Sequence, residues 1–144
     1  MKRLYFDYAA TTPVDPRVIE AMKPYWDKAY GNPGSLHWFG QQASAAVFKA
    51  RQSIARALQC HYSEIVFTGS ATEANNLALQ GAVIAWRRTH KEQPKIIISA
   101  IEHDSISETA NLLGQWGVEV VRIPVNSQGI IDSAMLEKAM DDRT

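Results

Sequence analysis

Two short runs of residues in this 144-residue chain have the composition of a ligand site. The first is Thr68-Gly69-Ser70-Ala71-Thr72-Glu73. Ser70 and Glu73 stand at capping-box spacing, where a hydroxyl and a carboxylate satisfy the first free amides of a helix. A helix starting there also offers the unbonded N–H groups of Ala71 and Thr72 and a partial positive charge, which together suit a phosphate. Gly69 lets the backbone approach closely, and Thr72 adds a hydroxyl. Capping boxes are commoner than anion sites, so spacing alone leaves a capped helix without a ligand as the simpler reading. There is no G-x-G-x-x-G and no Walker lysine, which argues against dinucleotides and nucleoside triphosphates.

The second run is Glu102-His103-Asp104. A histidine in such a place can stack on a planar ligand or move protons. The tripeptide by itself fits a surface histidine beside two acids equally well or better. A metal reading is weaker, because His37, His61, His90 and His103 are scattered, with no H-x-x-x-H pair and no cysteine partner. Cys60 lies near no basic cluster or glycine-rich loop, so a small packed side chain or a helix-end residue is the expectation there, not a nucleophile. Trp26, Trp86 and Trp116 fall in helical patterns and read as packing residues.

These runs need elements to position them. Glu64–Thr68 is short and β-branched and predicts a strand ending at the Gly69 turn, with the following helix reaching about Arg88. Lys95–Ser99 predicts a second strand, apolar on both faces as a helix-covered strand should be. It ends just before His103, so both runs fall at strand carboxyl ends, where open α/β sheets bind ligands. A helix at about 105–116, a strand at 118–123 and a helix at 132–141, capped by Asp132, complete the series. The β-α-β-α-β-α order from Glu64 predicts a parallel sheet with helical crossovers. Upstream, Leu4–Tyr8 is β-prone. Asp15-Pro16 opens a helix whose Val18, Ile19, Met22 and Trp26 form one buried face. A further helix spans about 40–58, with Ala43, Val47, Ala50, Ile54 and Ala57 on one stripe. About three parallel strands would leave an open edge, so the chain is expected to be truncated.

Composition excludes several classes. Lys+Arg and Asp+Glu are equal at 15 each, so no bulk field points to nucleic acid or an anionic membrane. Apolar residues make up 46% and charged residues 21%, the balance of a globular domain. The longest apolar runs are about five residues, against the roughly twenty that a membrane helix needs. Asp7 interrupts any apolar signal core, and the lone Cys60 forms no internal disulfide. The cytoplasm is the expected compartment.

Four segments in this order and spacing, 5–13 (YFDYAATTP), 31–40 (GNPGSLHWFG), 64–79 (EIVFTGSATEANNLAL) and 101–105 (IEHDS), resemble the N-terminal region of cysteine desulfurases, within the class V aminotransferase-like enzymes that use pyridoxal 5'-phosphate (PLP). The resemblance covers essentially the whole chain. It implies an α/β fold: a fragment of the large domain of a type I PLP-dependent transferase, a mostly parallel sheet with helices on both faces. Residues 1–15 would form an N-terminal arm and 16–144 the N-terminal part of the PLP-binding domain.

By the same resemblance, Ala71 and Thr72 match the phosphate-binding turn, and His103 matches the histidine that stacks on the PLP ring and assists proton transfer. The family usually has Ser-Gly before Ala-Thr-Glu, and here the order is Gly69-Ser70. The lysine that carries the cofactor sits in a Ser-Gly-His-Lys type motif, which surrounds no lysine here. The pyridine-pairing aspartate and the nucleophilic cysteine are expected beyond Thr144. The implied activity is removal of sulfur from L-cysteine, giving alanine and an enzyme persulfide. The implied partners are a sulfur acceptor, such as an iron–sulfur scaffold or a tRNA-thiolation protein, and a second copy in a full-length homodimer. The fragment itself is expected to be inactive alone. Two alternatives stay open. One is another class V PLP enzyme: a selenocysteine lyase, a kynureninase-like enzyme or an aminotransferase. The other is a non-catalytic remnant that binds a partner.

Overall fold

The computed structural model describes residues 3–144, in two units, Met1–Val66 and Phe67–Thr144.

The first unit is helical. Asp15 caps α1 (Pro16–Met22): its carboxylate accepts from the Arg17 amide at 2.8 Å, and Pro16 fills the first helical position without needing a donor. Pro24 has no N–H to continue the ladder, so a separate short helix, α2 (Pro24–Asp27), follows. The expected single helix with one buried face is therefore corrected: Val18, Ile19, Met22 and Trp26 are all exposed. Leu4–Tyr8 forms no strand, and the Asp7 carbonyl instead closes a turn onto the Ala10 and Thr11 amides.

The long helix α3 (Trp38–Leu58) starts two residues before its expected position, because the His37 ring caps it through Nδ1 at 3.3 Å from the Gly40 amide. It ends at Gln59, whose φ of 55° is left-handed. Of its expected stripe only Ala43 is buried. Gly31 and Gly40 are required by close approach: a Cβ on either would meet backbone oxygen of Phe39 or Ser35 at 2.3 and 2.1 Å.

The expected strand Glu64–Thr68 is absent. Tyr62–Glu64 is a 3₁₀ turn, capped by His61, and Ile65 donates back to Tyr62. The Arg51 guanidinium donates to the Ile65 carbonyl. A strand exists through ladder bonds to a neighbour. Here a turn and an arginine satisfy Ile65 instead.

The second unit runs α4 (Ala71–Thr89), β1 (Lys95–Ser99), α5 (Asp104–Gln115), β2 (Glu119–Ile123) and α6 (Ser133–Ala139). β1 and β2 pair in parallel, from Lys95 opposite Glu119 to Ser99 opposite Ile123. Helix α5 makes the crossover that parallel strands require. Val83 of α4, Leu113 of α5 and Val118 form the core, with Leu79 and Ile96 packed against them. Full burial of Leu113 contributes about 2 kcal/mol. At the amino ends of the strands, Lys95 bonds Asp141 at 2.6 Å, and Arg143 bridges Asp141 at 2.7 Å and Glu119 at 2.9 Å. These pairs fasten the segment after α6 to the start of β1, where the Lys95 amide also donates to the Arg143 carbonyl. The chain is thus α/β, with a small parallel sheet and helices. α4 and α5 begin at Ala71 and Asp104, next to the two runs that could carry chemistry.

Candidate functional site

Helix α4 starts where its capping residues require. Ser70 is extended, at φ −161° and ψ 162°, and its hydroxyl accepts from the Glu73 amide at 3.1 Å. The Glu73 carboxylate returns not to Ser70 but to the Gly69 amide, at 2.7 Å. Neither Gly69 nor Ser70 has a positive φ, and a Cβ on Gly69 would meet only the flexible end of Glu73, at 3.3 Å. The Gly69-Ser70 order therefore imposes no glycine-only conformation, and it supplies the serine as the cap.

The amides of Ala71 and Thr72 belong to the first turn and have no intrahelical partner. Both residues are exposed, and among the described residues no other group bonds those amides. Two donors and the positive end of a 19-residue helix are thus presented together.

Helix α5 is capped by His103. Its Nδ1 accepts from the Ser105 amide at 3.0 Å and lies 2.9 Å from the Ser105 hydroxyl. Ser105 in turn accepts from the Asn75 side-chain amide of α4 at 2.8 Å. A second bridge joins the helices deeper in. Buried Thr109 lies 2.9 Å from Asn76 Oδ1 and 2.8 Å from the Ser105 carbonyl, and Asn76 donates to the Thr72 carbonyl at 2.9 Å. Gln80 donates to the same Asn76 oxygen at 3.0 Å. On the other side, Glu102 folds back onto Ser99 at the end of β1, accepting from its hydroxyl at 2.8 Å. His103 is thus held by its own helix, by α4 through Ser105, and by a preceding residue tied to the sheet.

An open cavity of about 420 Å³ lies here, lined by Thr72, Asn76, His103, Ser105, Glu108 and Thr109 among others. It brings together two of the three site residues expected from sequence, Thr72 and His103. Ala71 is one residue from it in the same first turn, but does not line it. Cys60 belongs to the other unit, after α3. Among the described residues no group of three His, Cys, Asp or Glu side chains is placed to hold a metal ion.

Asn75, Asn76, Ser105 and Thr109 were not among the site residues expected from sequence. A signal for them existed: Thr72, Asn76 and Gln80 recur at four-residue spacing on α4, as do Ser105 and Thr109 on α5. Such stripes place polar groups on one helix face.

Comparison with known proteins gives a consistent result. Residues 4–144 match the family model described as aminotransferase class-V. The chain is 42% identical to the mitosomal cysteine desulfurase of Trachipleistophora hominis, over 99% of this chain and 32% of that protein. It is 41% identical to cysteine desulfurase IscS of Dictyoglomus turgidum, over 97% of this chain and 35% of that one. Among solved structures, a NifS-like protein superposes with a TM-score of 0.89 at 38% identity, covering 99% of this chain and 38% of that chain. A structure of SspA in complex with cysteine superposes at 0.84, also at 38% identity, covering 97% and 40%. The chain spans about a third of the length of the curated relatives it matches.

Proposed function

We propose, since this chain belongs to the aminotransferase class-V family, that it supplies the cofactor-phosphate and ring-contacting part of a PLP-dependent cysteine desulfurase. The observation that carries this reading is the convergence of Thr72 and His103, from the first turn of α4 and the cap of α5, on one cavity.

The residues present fit the group. The free amides of Ala71 and Thr72, with the Thr72 hydroxyl, would hold the phosphate, aided by the field of α4. The Glu73 carboxylate is already engaged by Gly69, which leaves those two amides for an incoming anion. The His103 ring would lie against the pyridine ring and exclude water from that face. When bound, PLP supplies an electron sink for charge developing at the amino acid Cα.

SspA binds cysteine in its solved complex. For this chain we take L-cysteine as the substrate, alanine as the product and an enzyme persulfide as the sulfur carrier, passed on to an iron–sulfur scaffold or a tRNA-thiolation protein. Residues 1–15 are the arm of the enzyme and 16–144 part of its large domain, which pairs with a second copy. Among the described residues no helix is long and apolar enough to cross a membrane. The cytoplasm is the compartment this reading favours.

The test is a comparison of PLP with pyridoxal, which lacks the phosphate. Each charge-assisted hydrogen bond to phosphate is worth about 1.5–3 kcal/mol, so PLP should bind at least about tenfold more tightly. Thr72→Val should remove much of that advantage. Equal affinity for the two compounds would contradict the phosphate assignment.

A further inference from the structure

The cap of α5 constrains the chemistry of His103. A backbone N–H can only donate, so the Ser105 amide at 3.0 Å makes Nδ1 the acceptor. An imidazole that accepts at Nδ1 carries its proton at Nε2, and among the described residues Nε2 has no partner. The Ser105 hydroxyl, 2.9 Å from Nδ1, is placed to donate to the same nitrogen. Its oxygen accepts from Asn75 at 2.8 Å, and its proton remains available to the ring. A proton on Nδ1 would face the Ser105 N–H and would cost α5 its cap.

We propose that Ser105 and Asn75 are positioning residues that hold His103 as the Nε2–H tautomer, so that its free edge offers a hydrogen-bond donor. Neither residue needs to touch a ligand. They act through the ring, Ser105 directly and Asn75 by orienting the Ser105 hydroxyl. The consequence for a bound cofactor rests on the function proposed above, but the tautomer is a property of the chain itself. A second proton on the ring would go to Nδ1 and would face the Ser105 amide. The free edge of His103 is thereby presented as a hydrogen-bond donor beside the face of the ring.

The two nitrogens are distinguished by long-range proton–nitrogen NMR on the ¹⁵N-labelled chain, at about pH 9, where imidazole is neutral. The wild type should show a pyridine-like Nδ1 and a pyrrole-like Nε2 for His103. Ser105→Ala should add a measurable Nδ1–H population, Asn75→Ala a smaller one in the same direction, and Ser105→Thr should restore the wild-type pattern. A wild type with the proton on Nδ1 overturns the proposal, as does an unchanged tautomer in both alanine variants. Should Ser105→Ala lose α5, Asn75→Ala decides, since alanine is the best helix former. Adding PLP to the wild type separates the two readings: an unmoved His103 signal counts against the cofactor site and leaves the tautomer result standing.

Discussion

His103 carries two roles in one side chain, and substitution can separate them. Its Nδ1 caps α5, while its ring borders the cavity that Thr72 also lines. Asparagine is a strong N-cap with no ring, and alanine provides neither. His103→Ala should therefore cost about 1 kcal/mol of stability in a denaturant titration, the usual value of a lost cap. His103→Asn should cost little or nothing there. In a complete enzyme both variants should lose turnover far more than they lose PLP. Equal destabilisation by the two substitutions would contradict the capping role, and loss of PLP in step with turnover would contradict the ring role. The sequence marked His103 by its position after a strand but not as a cap, because histidine is not among the usual capping residues. Yet His37, His61 and His103, three of the four histidines, cap helical turns through Nδ1 in this chain.

At the scale of elements, legibility followed how local the forces were. Ser70 capping α4, Asp15 capping α1 and Asp132 capping α6 are decided within three residues, and each was readable from spacing. Lys95–Ser99 was readable because its β-branched run finds a parallel neighbour in β2. Glu64–Thr68 has the same kind of composition, but strand formation depends on a partner, and a local sequence does not contain one. The ion network beneath the sheet was also illegible, since it joins Lys95, Glu119, Asp141 and Arg143 across the length of the second unit. It has a pH signature. Hydrogen bonds from Lys95 first and Arg143 second hold the Asp141 carboxyl well below its ordinary range. A folded-state value below the unfolded one stabilises the fold above the ordinary carboxylate range, and that support is lost as pH falls through the folded value. Stability should therefore decline from about pH 4 downward, and Asp141→Asn should flatten that part of the profile while lowering stability at neutral pH. Parallel acid limbs for the variant and the wild type, in urea melts across pH, would contradict it.

The described residues leave many large apolar side chains exposed. Leu113 is the only large side chain among the described residues with under 2% exposure, whereas Leu36, Phe6 and Trp26 are 91%, 88% and 79% exposed. The bonds of the polar candidate site lie within one unit and join α4 to α5 directly. On the function proposed, the phosphate of PLP sits on the first turn of α4 with its ring against His103. The most direct measurement is a PLP titration followed by amide and imidazole NMR shifts on the labelled chain. The Ala71 and Thr72 amides should move the most, downfield as they gain an anionic acceptor, and the His103 ring protons should move upfield under the pyridine ring. Pyridoxal should move the ring protons and leave the two amides in place. Amides of Ala71 and Thr72 that stay still while PLP perturbs residues elsewhere would contradict the account.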